Sequence, residues 1–178
     1  MIFGECLGAS LEPAYYIFRD VRGGTLFRVS EESHRGLLQF TKLRGLTRLT
    51  LRWEPGSFPF GLWMNRYPHF WRSHWELTDD SHSPLLRFTR AGLAARWDIE
   101  DLRTGASVTA GVRNPLIFGP QSGELQIPGG PPVAKLQWED FSWRLFAHLR
   151  VRVEVMQEGW VLAALALAVV RWVSMQQR

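Results

Sequence analysis

Apolar and polar residues alternate with a period of two through much of the chain. Leu49, Leu51 and Trp53 fall on one face of a run whose other face is Arg48, Thr50 and Arg52. Trp71, Ser73, Trp75 and Leu77 alternate with Arg72, His74 and Glu76, and Ala95, Trp97 and Ile99 alternate with Arg96, Asp98 and Glu100. The longest run sets Trp143, Leu145, Ala147, Leu149, Val151, Val153 and Val155 against Arg144, Phe146, His148, Arg150, Arg152 and Glu154. This period predicts strands with one buried face, and each apolar face must cover something apolar. Turn residues separate the runs, at 20–24, 79–84, 101–105 and 128–132. Three hairpins share one pattern, in which a strand ends on Asp20, Asp79 or Asp101 and a short turn leads into the next strand. No stretch has linker composition, so residues 1–178 are expected to form a single domain.

The final segment breaks the period. Trp160 to Val170 is apolar without interruption, and Trp172 and Val173 extend it past Arg171. An amphipathic helix keeps a polar face, and this one has none. Spanning a bilayer takes about 20 residues, more than this run supplies, so no transmembrane span is expected. Ala163, Ala164, Ala166 and Ala168 keep the helix thin. Glu158-Gly159 leaves almost no spacer after the long strand. The economical arrangement is a β-barrel wrapped around a helix of its own chain, near 159–175, because barrel strands point every second side chain inward.

Composition narrows the function classes. Apolar residues make up 46% of the chain and charged residues 21%, which excludes a disordered chain. Nine Trp and 11 Phe read as core and cross-strand packing rather than ligand stacking. The net charge is +4, but the basic residues are nearly all Arg and are spread along the chain, which disfavours nucleic acid as a partner. Cys6 is the lone cysteine, so no intrachain disulfide and no thiolate metal site is expected. The N-terminus lacks a basic start followed by an apolar run, so no secretory signal is read there, and the expected location is the cytoplasm.

No catalytic signature stands out. Gly119-Pro120-Gln121-Ser122-Gly123 has the wrong spacing for a nucleophile elbow and reads as a loop. No phosphate loop or dinucleotide fingerprint occurs. The histidines are His34, His69, His74, His82 and His148. On one strand, His69 and His74 would fall on opposite faces, which argues against a shared metal. Asp79, Asp80 and Asp101 could form an acidic site, but turns select Asp for backbone hydrogen bonding. No catalytic residue, metal or cofactor is therefore assigned. The basic faces are the remaining candidates. Arg48, Arg52, Arg144, Arg150 and Arg152 could hold an anion bidentately, against the plain alternative of a solvated barrel wall.

These elements resemble the Tubby C-terminal-like superfamily. The residues that carry the likeness are the strand-turn-strand opening with Asp20 and Gly23, the similar hairpins after it, and a final basic strand feeding an Ala/Leu/Val-rich helix. The group includes Tubby domains, phospholipid scramblases and LURP-one-related proteins with their compact bacterial relatives. The likeness spans roughly Tyr15 to Met175. It implies a mainly β fold, a closed barrel of about twelve strands enclosing one hydrophobic C-terminal α-helix. It also implies contact with membranes, since Tubby domains bind phosphoinositide head groups through basic side chains on the barrel exterior. The paired Lys/Arg pattern of that site has no counterpart here. The segment that resembles the acidic calcium stretch of scramblases carries only Glu154 and Glu158, too few for oxygen-rich ligation. Palmitoylated cysteine clusters are absent.

The expected function is a non-catalytic binding or scaffold module that recognises an anionic phospholipid head group, peripheral to the membrane. Its contacts would be Arg144, Arg150 and Arg152. The alternative is a membrane-associated, scramblase-like protein anchored by its C-terminal hydrophobic segment. An enzyme ranks third, and the oligomeric state is left open.

Overall fold

The computed structural model describes residues 1–6, 16–32, 49–67, 74–90, 96–113, 121–139 and 150–175. Twelve strands run in chain order: β1 Ile2–Cys6, β2 Tyr16–Asp20, β3 Thr25–Glu31, β4 Leu49–Pro55, β5 Leu62–Tyr67, β6 His74–Asp79, β7 Pro84–Arg90, β8 Arg96–Asp101, β9 Ser107–Arg113, β10 Gln121–Gln126, β11 Pro132–Glu139 and β12 Arg150–Val155. Each pairs antiparallel with its sequence neighbours, and β12 closes on β1 through Ile2↔Val153 and Gly4↔Val151. Closure leaves no sheet edge exposed. A single 3-10 turn, Glu158–Trp160, leads from β12 into α1, Val161–Met175. The expected closed barrel with a C-terminal helix is what the chain forms.

The alternation places the strand faces as the sequence predicts. Leu49, Leu51, Trp53, Trp75, Leu77, Trp97, Ile99, Val151 and Val153 are all buried, whereas Arg52, Arg96, Asp98, Glu100, Arg150, Arg152 and Glu154 are exposed. Residues 71–73, 95 and 143–149 lie outside the described residues. Charged side chains spaced along the outer wall are unlike the apolar band that a lipid-spanning barrel presents. Among the described residues no helix is long and apolar enough to cross a membrane.

Over Ala163 to Val170 the helix is apolar all round and buried all round. Ala163 through Val170 are fully inaccessible, as is Trp172. It packs closest to β11 and β12. The lining explains that offset. Apart from Trp138, whose ring lies over Gly123, the inward positions of β9 to β12 and β1 are small or medium, including Ala110, Gly123, Ala134, Val151, Val153 and Gly4. Opposite, β2 to β8 fill the interior with Phe18, Phe27, Trp53, Met64, Trp75, Phe88 and Trp97. Small residues let the helix approach one wall, and large ones take up the space on the other.

Two glycines set this packing. A Cβ on Gly4 would lie 2.7 Å from side-chain atoms of Phe18 and Val151 and 2.8 Å from Trp172. Trp172 occupies that niche, stacked on Tyr16 at 4.8 Å between ring centroids and on Phe18 at 5.6 Å. A Cβ on Gly123 would come within 2.7 Å of the Trp138 ring, which folds over it inside the barrel. The indole N–H groups of Trp53, Trp138 and Trp172 are buried without an acceptor among the described residues, so apolar contact and stacking hold these rings.

Two outcomes check the enclosed helix. Leu165→Asp or Leu167→Asp buries an unpaired charge at a cost of several kcal/mol, most of the about 5–15 kcal/mol available to a domain. These variants are expected not to fold, while Leu165→Ala folds with a loss of about 2–5 kcal/mol in denaturant titration. A folded Leu165→Asp protein would contradict the enclosure. Gly4→Ala should lose about 1–3 kcal/mol by overpacking. In a double-mutant cycle with Trp172→Leu, the coupling should be at least about 0.5 kcal/mol. Additive effects would mean that the niche does not hold Trp172.

Candidate functional site

The three acidic turns are structural. The Asp20 carboxylate accepts the backbone N–H groups of Arg22 and Gly24, both at 2.8 Å. Asp79 accepts the Ser83 N–H at 2.8 Å and the Ser81 hydroxyl at 2.9 Å. Asp101 accepts the Arg103 N–H at 2.9 Å and its guanidinium at 2.9 and 3.1 Å. Asp80 accepts the Gly61 N–H at 2.9 Å and so ties the β4–β5 turn to the β6–β7 turn. The carboxylates of Asp20, Asp79 and Asp101 each serve the local turn, as the turn preference of Asp anticipates. Donation from the Ser83 amide, then from the Ser81 hydroxyl, holds the Asp79 carboxyl below the usual carboxylate range. The hydrogen bonds from the Arg103 guanidinium do the same for Asp101.

The two described histidines have separate surroundings. His74 stacks on Tyr67 with ring centroids 4.9 Å apart. His82 occupies the left-handed region at φ 61° and lies 6.0 Å from Trp63. His34, His69 and His148 lie outside the described residues. Among the described residues no group of three or more His, Cys, Asp or Glu side chains converges to hold a metal.

The candidate arginines have different surroundings. Arg144 and Arg48 lie outside the described residues. Arg52 lies over the Trp63 ring, 5.6 Å from its centroid. Arg150 points outward and is ion-paired, with its Nε 3.1 Å from Glu5, a carboxylate it shares with Arg19 at 3.3 Å. Arg152 also points outward, and its side chain has no ion-pair or hydrogen-bond partner among the described residues. The barrel interior holds a further cation that alternation alone does not flag as polar. Arg66 is buried on the inner face of β5 with its guanidinium 5.7 Å from the centre of the Trp75 ring. Arg171 of the helix forks onto the Gln121 amide oxygen at 2.7 and 3.0 Å.

Arg152 lies in a groove of about 400 Å³ on the outer wall of β9 to β12. Gly111, Ser122, Gly123, Glu124, Lys135, Leu136, Gln137 and Glu154 line the rest of it. The register makes a lattice of two rows across three strands. One row is Ser122↔Gln137↔Arg152 and the next is Glu124↔Lys135↔Glu154. Gly111 sits beside Glu124 in the register and faces outward without a side chain, which opens that side of the groove. The six side chains of the lattice make no side-chain hydrogen bonds or ion pairs among the described residues.

Most of this groove is missing from the sequence reading. Residues 119–123 were expected to be a loop, whereas Gln121, Ser122 and Gly123 open β10. The segment Gln121–Gln126 has low β-propensity, and Gly123 is required there by the Trp138 ring rather than by a turn. The outward alternation of Ser122 with Glu124 and of Lys135 with Gln137 was the available signal.

Comparison with protein-family models, curated proteins and solved structures finds no match to this chain.

The Asp101 turn makes a pH prediction. Its carboxyl titrates lower in the folded than in the unfolded chain, so its stabilising effect is complete above the unfolded value, about 4. That effect is lost as pH falls through the folded value. Arg103 is half exposed, so Asp101→Asn should cost about 1 kcal/mol at pH 7. The gap between variant and parent should close towards pH 2. A gap that widened in acid would contradict this account of the turn.

Proposed function

We propose that the protein is a non-catalytic binding module, and that the outer groove of β9 to β12 takes the anionic group of a phospholipid head group. The observation that carries this reading is Arg152, an outward guanidinium with no partner among the described residues, set in a groove beside Lys135. A guanidinium binds phosphate oxygens in a fork, and Lys135 adds a mobile point charge. Arg150, the other described member of the sequence-predicted strip, is already paired with Glu5. The strip therefore narrows to one side chain of β12 and recruits a neighbour from β11. The order of elements supports the resemblance to Tubby-like barrels, whose exterior basic side chains take phosphoinositides. The alternative, an anchor made by the C-terminal segment, would require α1 to leave an interior that fully encloses Ala163 to Val170.

Flotation on phosphatidylcholine vesicles with and without phosphatidylglycerol tests the reading. Retention is expected only with the anionic lipid, and it should fall steeply with salt because exposed charges are screened beyond about 10 Å at 0.1 M. Arg152→Glu should abolish it, and Arg150→Gln should leave most of it. Equal retention on the two vesicles, or retention that survives Arg152→Glu in a folded protein, would count against the groove.

A further inference from the structure

We infer that the groove is built for a zwitterion, a phosphodiester carrying a primary ammonium, rather than for a plain anion. This rests on the anion-binding reading of Arg152 and extends it to the rest of the ligand. The two rows of the lattice differ in charge. Ser122, Gln137 and Arg152 form a row with one cation and two neutral hydrogen-bonding side chains. Glu124, Lys135 and Glu154 form a row with one cation between two carboxylates, a net charge of −1. Neighbouring rows on one strand are two residues apart, about 6.8 Å. The groove is thus a dipole whose two ends lie within reach of one small head group.

Lys135 makes the preference strong. It is directly opposite both Glu124 and Glu154, and diagonal to Arg152. Diagonal neighbours lie about 7–8 Å apart, within the span of two long side chains. An anion on Arg152 therefore draws the Lys135 ammonium towards itself. That movement draws the nearest lattice cation away from Glu124 and Glu154, its register neighbours, with neither of which it forms an ion pair. A ligand that brings its own ammonium restores the balance, and a ligand without one leaves two carboxylates, on strands either side of β11, uncompensated. A primary ammonium also has three donors for the two carboxylates, whereas a quaternary one has none. The same residues argue against a metal ion, since the register sets a cationic residue, Lys135, on the strand between those of the two carboxylates. The shared chemistry is the ethanolamine phosphodiester, whether carried by a lipid or free.

Gly111 supplies the control. A Cβ there would meet nothing within 4 Å, and its backbone is in a region open to any residue. Gly111→Leu should keep the fold and fill the groove.

The matched probes are glycerophosphoethanolamine, glycerophosphocholine and glycerophosphoglycerol, which share the phosphodiester. Each is titrated into the full-length ¹⁵N-labelled chain while the amide signals of Gly111, Ser122, Lys135 and Arg152 are followed. Glycerophosphoethanolamine should bind roughly tenfold tighter than either of the others, the worth of one charge-assisted hydrogen bond. Glu124→Gln/Glu154→Gln should erase that preference while leaving the glycerophosphoglycerol affinity unchanged or higher. Arg152→Gln and Gly111→Leu should weaken all three probes. Equal affinity for the three probes in the parent would overturn the zwitterion while leaving the anion site standing. Failure of every probe to move the groove signals would overturn both. Flotation on phosphatidylcholine vesicles containing phosphatidylethanolamine separates the sources. Retention identifies a bilayer-borne head group, and free-probe binding without retention identifies a soluble phosphodiester.

Discussion

A helix with no polar face must be enclosed, and the barrel is the consequence. Ala163 to Val170 offers water nothing to bond, and the helix is too short to live across a bilayer. A closed sheet can surround it because every second strand residue points inward. Closure by β1 on β12 also removes the edge that a sheet of this size would otherwise expose. The interior then has to hold an off-centre cylinder. Gly4, Ala110, Gly123 and Ala134 thin one wall, and Trp53, Trp75, Phe88 and Trp97 fill the other side.

The outer groove lies on that same thin wall. Gly123 faces in, under Trp138, and Gly111 faces out, so two strand positions lose their side chains on opposite sides of neighbouring strands. Behind the groove stands the helix, packed closest to β11 and β12. A binding surface carried on strands and braced from behind holds its side chains in place better than one carried on loops. The paired arginines elsewhere on the wall have a different role. Arg87 with Glu76 and Glu100, and Arg96 with Asp98, are solvated ion pairs across or along strands, worth little individually.

The sequence made the fold legible where one periodicity was strong. Leu49 to Trp53, Trp97 to Ile99 and Val151 to Val155 follow their alternation in the structure. The unbroken apolar tail forms a helix almost where it was expected. The site was less legible. Arg150 and Arg152 are indistinguishable in sequence, two outward arginines on one strand. Only the cross-strand register shows that Glu5 pairs with the first and leaves the second in a groove. The same holds for Glu124 and Lys135, which are distant in sequence from Arg152 and adjacent in the barrel. Charge partners across strands are set by register, and short turn-rich runs such as Gln121–Gln126 do not announce theirs.

Native-state hydrogen exchange on the helix amides tests the enclosure most directly. A helix that fills a closed barrel can open only when the barrel does. The amides from Ala166 to Val170 should therefore exchange with the free energy of global unfolding, matching the slowest amides of β11 and β12. Exchange of those helix amides at a markedly lower free energy, while the strands stay protected, would show that the helix leaves a barrel that stands without it, and would contradict the account.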